Sequence, residues 1–243
     1  MDAELGATKS GGGSGGMQRF AIVLTLVGLI GVLIFYWQVF FWVNTERTMG
    51  VAQRIFYLHV PAAWNAELGF GITALCSAIY LWLKDERLDW AAVAAAEAGM
   101  VFATLLLIEG SLWAKIAWGT YWTWEPRLTL TLLLWFIFLG YFMVRRSTDN
   151  SEHGKRFAAV LAIVGSLDIP LIHVSVLWFR SIHPKPVIMS ADQPMNLEGD
   201  MLVTFFTALI AFTLLFLGLV AFRYGLERSQ ALVAQRLRRE RSA

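Results

Sequence analysis

Residues 90–144 read WAAVAAAEAGMVFATLLLIEGSLWAKIAWGTYWTWEPRLTLTLLLWFIFLGYFMV. Two apolar blocks, 90–112 and 128–144, flank a gap crowded with tryptophan and holding one acid and two bases. A hydrocarbon core roughly 30 Å thick takes about 20 apolar helical residues to cross. Lipid offers the backbone no hydrogen bonds, so such blocks are helices. The stretch sets the fold class: an all-α polytopic membrane protein whose spans alternate with short gaps.

The rest of the chain repeats that pattern. Its 243 residues are 57% hydrophobic and only 16% charged, with a mean hydropathy of +0.57, whereas soluble domains average roughly 25% charged. Apolar segments at 20–43, 61–83, 90–112, 128–144, 157–179 and 201–222 predict six transmembrane helices. The first is too long to be a removed signal peptide, and Asn44-Thr45-Glu46-Arg47 ends it. The fourth is the shortest and either extends back into the tryptophan motif or meets a thinned bilayer. No length remains for a separate soluble domain. Residues 1–16, MDAELGATKSGGGSGG, read as a flexible linker, an appended sequence or a mis-called start. The six-helix domain is expected over 17–223 and a basic cytoplasmic tail over 224–243.

Lysine and arginine set the orientation. One set of gaps and ends holds Arg19, Lys84, Arg87, Arg145, Arg146, Lys155, Arg156 and the tail arginines from Arg223 onward, thirteen in all. The other holds Arg47, Arg54, Lys115, Arg127, Arg180 and Lys185. Cytoplasmic loops carry the excess, so both termini are expected in the cytoplasm and gaps 44–60, 113–127 and 180–200 outside. The tail, with Leu226, Leu232, Val233 and Leu237 among its arginines, reads as a surface helix for anionic lipid or a partner, or as a solvated helix. The net charge of +2 points to no particular partner, and nothing points to nucleic acid. Cys76 is alone in an apolar stretch and forms no internal disulfide.

Three unusual stretches fall in the outer gaps: Leu58-His59-Val60-Pro61, residues 118–129 (WGTYWTWEPRLT), and Ile182-His183-Pro184-Lys185-Pro186. Single tryptophans at helix ends form an interfacial belt. Trp113, Trp118, Trp122 and Trp124 crowded together, with Gly119, Glu125, Pro126 and Arg127 woven between, ask for more. Trp118 and Trp122 share a face on a helical turn, whereas Trp122 and Trp124 share one in an extended strand. Gly119 and Pro126 argue against one continuous helix. An amphipathic turn or re-entrant platform follows, with aromatic faces for a planar ligand, each contact adding about 0.5–1.5 kcal/mol beyond burial. Arg127 suits a bidentate carboxylate. Glu125 orients Arg127 or caps the fourth helix, and a local ion pair between the two is the plainer reading.

His59 and His183 each precede a proline closely, where a helix begins or breaks. Imidazole is a common axial ligand of haem iron, and two ligate from opposite faces of the ring. His173, in the fifth span, is expected to bond Asp168 or to support the site from deeper in the bilayer. His153 is solvated. The intramembrane acids Glu67, Glu97 and Glu109 bond between helices or mark function, and Glu109 sits near Trp113 by helical spacing. A Walker loop, G-x-G-x-x-G, H-E-x-x-H and C-x-x-C-H are all missing from the sequence.

Residues 118–129 resemble the tryptophan-rich signature of the haem-handling superfamily, and most closely the CcmC (haem exporter protein C) family of cytochrome c maturation. The likeness runs from Met17 through Arg54-Ile55-Phe56-Tyr57-Leu58-His59-Val60-Pro61-Ala62-Ala63, the tryptophan motif, Asp168-Ile169-Pro170-Leu171-Ile172-His173 and a late outer-face histidine. The resemblance implies a handler of haem b, bound transiently at the periplasmic face of a bacterial inner membrane, and not an enzyme. It places the axial ligands on His59 and His183 and the haem platform on the tryptophan motif. It implies delivery to the haem chaperone CcmE, in company with the CcmA/CcmB ATP-binding cassette complex and the small subunit CcmD. The family usually has aspartate where this chain has Glu125. Two rival classes are weighed beside it. A transporter of haem or another small organic anion would use Glu67, Glu97 and Asp168 along a path and needs broken helices and a repeat. A redox cytochrome of b type needs ligands within helices at membrane depth.

Overall fold

The computed structural model describes residues 12–179, 183, 197 and 199–242, with side chains over 15–179, 183, 197 and 199–241. Six helical segments are long and apolar enough to span a membrane, and the protein is an all-helical, multi-pass membrane protein. Helix α1 covers Gly12–Trp37 and continues through a π-helical turn at Gln38–Trp42. A 3₁₀ turn at Val51–Ile55 leads into α2, Phe56–Leu83. Then come α3, Glu86–Trp118, and α4, Pro126–Ser147. The fifth span is two helices, α5 at Glu152–Ser166 and α6 at Asp168–Trp178. Helix α7 runs unbroken over Gly199–Ser242.

Local chemistry sets these limits. Asp85 and Ser151 accept backbone N–H bonds from Arg87 and Gly154, capping α3 and α5. Pro170 has no N–H to give to Ser166, and its ring crowds that carbonyl, which is why the fifth span breaks at Leu167. The span expected at 157–179 is present as one crossing, Glu152–Trp178, built of two consecutive helices and not one. The tail residues from Tyr224 onward form no separate element but extend α7.

The spans pack through small residues. A Cβ on Gly69 of α2 would lie 2.6 Å from the Gly99 Cα of α3, so the two backbones touch there. Phe70 stacks on Phe138 with ring centroids 3.8 Å apart, and Phe102, Phe212 and Phe216 fill the space beside α7. Phe20, Leu33, Phe41, Trp82 and Leu177 point outward, as lipid-facing residues should.

The end opposite the tryptophan motif is tied by ions. Arg145 of α4 holds Asp89 of α3 through two buried bonds of 2.6 and 2.8 Å, with the Tyr141 ring 5.6 Å from the guanidinium. Lys155 of α5 reaches Glu86 of α3 at 2.5 Å. Arg223 of α7 pairs with Glu97 of α3 and, at 2.7 Å, with Glu227. Three of the thirteen cations counted for orientation thus serve as cross-helix bonds.

Candidate functional site

At the motif end a cleft opens between helices. Its walls are His59, Ala63 and Glu67 of α2; Leu106, Leu107, Gly110, Ser111, Trp113, Ala114 and Trp118 of α3; and Arg127, Leu128 and Thr131 of α4. Trp122 from the connecting loop, Ile172 of α6 and His183 complete it. The three stretches singled out in the sequence therefore meet in one place.

Helix α3 runs further than its apolar block. Trp113 and Trp118 lie on the helix itself, and Gly119, left-handed at φ 78, ends it. Residues 119–125 hold no helical turn. They are laced back onto α3 instead: Ser111 Oγ donates to the Tyr121 carbonyl at 2.8 Å, and Lys115 Nζ to the Gly119 carbonyl at 2.9 Å. Trp118 and Trp122 both face the cleft, yet through this fold-back and not through a shared turn. Trp124 is 76% exposed and stands outside the cleft walls, its ring edge-on to Trp122 with centroids 5.8 Å apart.

His59 does not precede a helix; it lies within the first turn of α2, with Pro61 inside the helix. The chain is already helical from Val51, so the proline costs one bond near the start and neither begins nor ends the segment. The imidazole meets Trp113 edge-on at 5.3 Å. Gly110 makes room for it, since a Cβ there would fall 2.9 Å from His59 Cε1.

His183 Nδ1 lies 2.7 Å from Glu125 Oε1, and its ring is tilted against Trp118 at 5.4 Å. A carboxylate only accepts, so Nδ1 donates and Nε2 keeps its lone pair. Burial holds the imidazole below the ordinary histidine range; the Glu125 bond opposes this and the charge of Arg127 adds to it. Neutral imidazole is the form that binds metal. Glu125 sits at the N-cap of α4 but makes no side-chain cap bond. Its expected roles, capping the helix or orienting Arg127, give way to a bond with His183. The prolines expected to pin His183, Pro184 and Pro186, lie outside the described residues, as do Arg180, Ile182 and Lys185.

Arg127 faces the cleft, and among the described residues no carboxylate lies within ion-pair distance of it. His173 bonds Glu67 at 2.9 Å, not Asp168 as expected. Glu97 is held by Arg223, and Asp168 is buried at the head of α6. The acids of the transporter reading are thus held separately, on α2, α3 and α6.

The donor set constrains the ligand. Two imidazoles are too few for a structural zinc ion, which takes four ligands, and among the described residues no group of three or more His, Cys, Asp and Glu could hold a bare metal. They suffice for iron that arrives with its own equatorial nitrogens. Buried Trp113 and Trp122 Nε1–H groups make no hydrogen bond, and with Arg127 they form a donor set for carboxylates. In this conformation the cavity holds about 70 Å³, against about 300–1,000 Å³ for ordinary ligand pockets. A large flat ring therefore needs the cleft to widen.

Fold and cleft define a class: multi-pass helical membrane proteins with paired histidines, indoles and an arginine gathered at one end of the bundle. The family model for CcmC, heme exporter protein C, matches residues 17–242. Heme exporter protein C of Bradyrhizobium diazoefficiens is 36% identical over 200 residues, covering 82% of this chain and 76% of the relative. That of Haemophilus influenzae is 32% identical over 205 residues, covering 84% and 81%. That of Rhodobacter capsulatus is 30% identical over 211 residues, covering 86% of each chain. The chain belongs to the CcmC family.

Proposed function

We propose that this protein binds haem b transiently at the periplasmic face of a bacterial inner membrane and delivers it to the haem chaperone CcmE during c-type cytochrome biogenesis. The relatives' name, heme exporter protein C, supports the haem-handling role. The observation that carries it is the single cleft holding His59, His183, Arg127 and the indoles of Trp113, Trp118 and Trp122. Haem supplies an iron with two open axial positions. His59 and His183 hold it from Nε2, Arg127 takes a propionate in bidentate fashion, and the indoles cover the ring. Glu125 fixes the His183 tautomer. Trp124, exposed and edge-on to the cleft residue Trp122, is left for a partner to meet.

The CcmA/CcmB cassette complex and CcmD are the remaining partners in this reading, with both termini cytoplasmic. The protein is a handler and not an enzyme. Purified wild type is expected to show a Soret band that His59→Ala and His183→Ala each abolish or shift. Unchanged spectra in both variants would overturn the ligand assignment.

A further inference from the structure

Glu109 is a buried acid of the cleft end whose described contacts leave it unexplained. It is 7% exposed, and neither carboxylate oxygen has a hydrogen-bond partner. A bare buried carboxylate is costly, and each such group calls for a physical reason. Across from it stands His59, whose Nδ1 lies 3.7 Å from Glu109 Oε1 and is itself buried without a bond. At 3.7 Å the two groups face each other without a hydrogen bond; a shift of about 0.8 Å would make one.

The other cleft histidine has the same arrangement already closed, His183 Nδ1 to Glu125 Oε1 at 2.7 Å. Each imidazole therefore presents its Nδ1 edge to a buried carboxylate. Helix α3 sets the geometry on the His59 side. Gly110, next to the acid, lets the ring approach, and Trp113, one turn on, meets the ring edge-on and limits its swing.

We propose that Glu109 is a positioning residue for His59: its carboxylate takes the Nδ1–H and leaves Nε2 facing the cleft, as Glu125 does for His183. The inference rests on the haem reading above, and it adds that both axial imidazoles are backed by carboxylates, one bond formed and one poised to form. Metal-bound histidines regularly donate their other N–H to a carboxylate, which orients the ring and raises its basicity, and losing that group costs about 10–100-fold in metal affinity. A more basic ligand favours ferric over ferrous iron, so loss of the carboxylate raises the reduction potential.

The test uses full-length Glu109→Gln, nearly isosteric and uncharged, and Glu109→Leu, which removes the acceptor. In ¹⁵N-histidine-labelled protein without haem, His59 is expected as the Nδ1–H tautomer in wild type and not in Glu109→Leu. On haemin titration both variants should bind about 10–100-fold more weakly. Each tenfold loss of ferric over ferrous affinity reads as a rise of about 59 mV. Glu109→Asp should recover part of both. Unchanged tautomer, affinity and potential in the glutamine and leucine variants would overturn the proposal and leave Glu109 a packing residue. Failure of wild type to bind haemin would instead sink the functional reading, while the tautomer measurement would still decide the role of Glu109.

Discussion

Gly110→Ala tests the cleft without touching any of its polar groups. The added methyl would stand 2.9 Å from His59 Cε1, where ordinary contact begins at 3.4 Å, so one of them must give by about half an ångström. In the free protein no hydrogen bond or metal fixes the imidazole, and it gives way by rotating against its edge-on contact with Trp113. With Nε2 on iron that rotation is closed, and the overlap falls on the bound state. Overpacking of this size costs about 1–3 kcal/mol, which is roughly five- to 150-fold in Kd. The same change removes a glycine from a helix interior, worth about 1 kcal/mol in favour of the fold. The variant should therefore bind haemin more weakly, and unfold no more easily, than wild type. Haemin titration at the Soret band and thermal unfolding in detergent measure the two. An unchanged Kd would refute the claim that His59 is fixed over Gly110 when the ligand is bound.

Other outcomes follow from the same geometry. Arg127→Ala should lose about 10–150-fold for haemin, the worth of a charged hydrogen bond at about 1.5–3 kcal/mol, and lose nothing for the haemin dimethyl ester; equal losses for both would remove the propionate from Arg127. Glu125→Ala should weaken haemin about 10–100-fold by freeing the His183 tautomer, with Glu125→Asp closer to wild type, as titration would show. Asp89→Ala leaves Arg145 buried and uncompensated, at a cost of about 3–5 kcal/mol; replacing both by apolar residues of similar volume should restore most of the lost thermal stability.

The spans were legible because apolar length alone decides them. Their ends were not, because residues that stop an apolar count do not stop a helix. Lys115 and the indoles of Trp113 and Trp118 interrupt the block at 90–112, yet all have helical propensity, and α3 continues until Gly119 turns left-handed. Pro61 misled in the other direction, since a proline within a helix already begun costs a single bond. Pro170 sets the break between α5 and α6, which an apolar count does not register. His59, His183, Trp113, Trp118, Trp122 and Arg127 were found from residue type and gap parity, and the structure gathers them. The partners of the acids could not be found that way. Glu125 turns to a histidine 58 positions on, Glu67 to one 106 positions on, and Asp89 to an arginine 56 positions on. Such pairings are set by helix packing, which no local pattern records. Glu109 was visible beside Trp113, but its aim at a histidine on another helix was not.

The ionic ties of α3 to α4, α5 and α7 through Asp89, Glu86 and Glu97 have a mechanical side. They make that end of the bundle a hub, with α3 as its spindle, while the cleft end is fastened by a loop folded back on Ser111 and Lys115. Any widening of the cleft for a flat ligand is therefore expected to fall on that loop, since the bonds that fold it back on α3 are hydrogen bonds and not ion pairs.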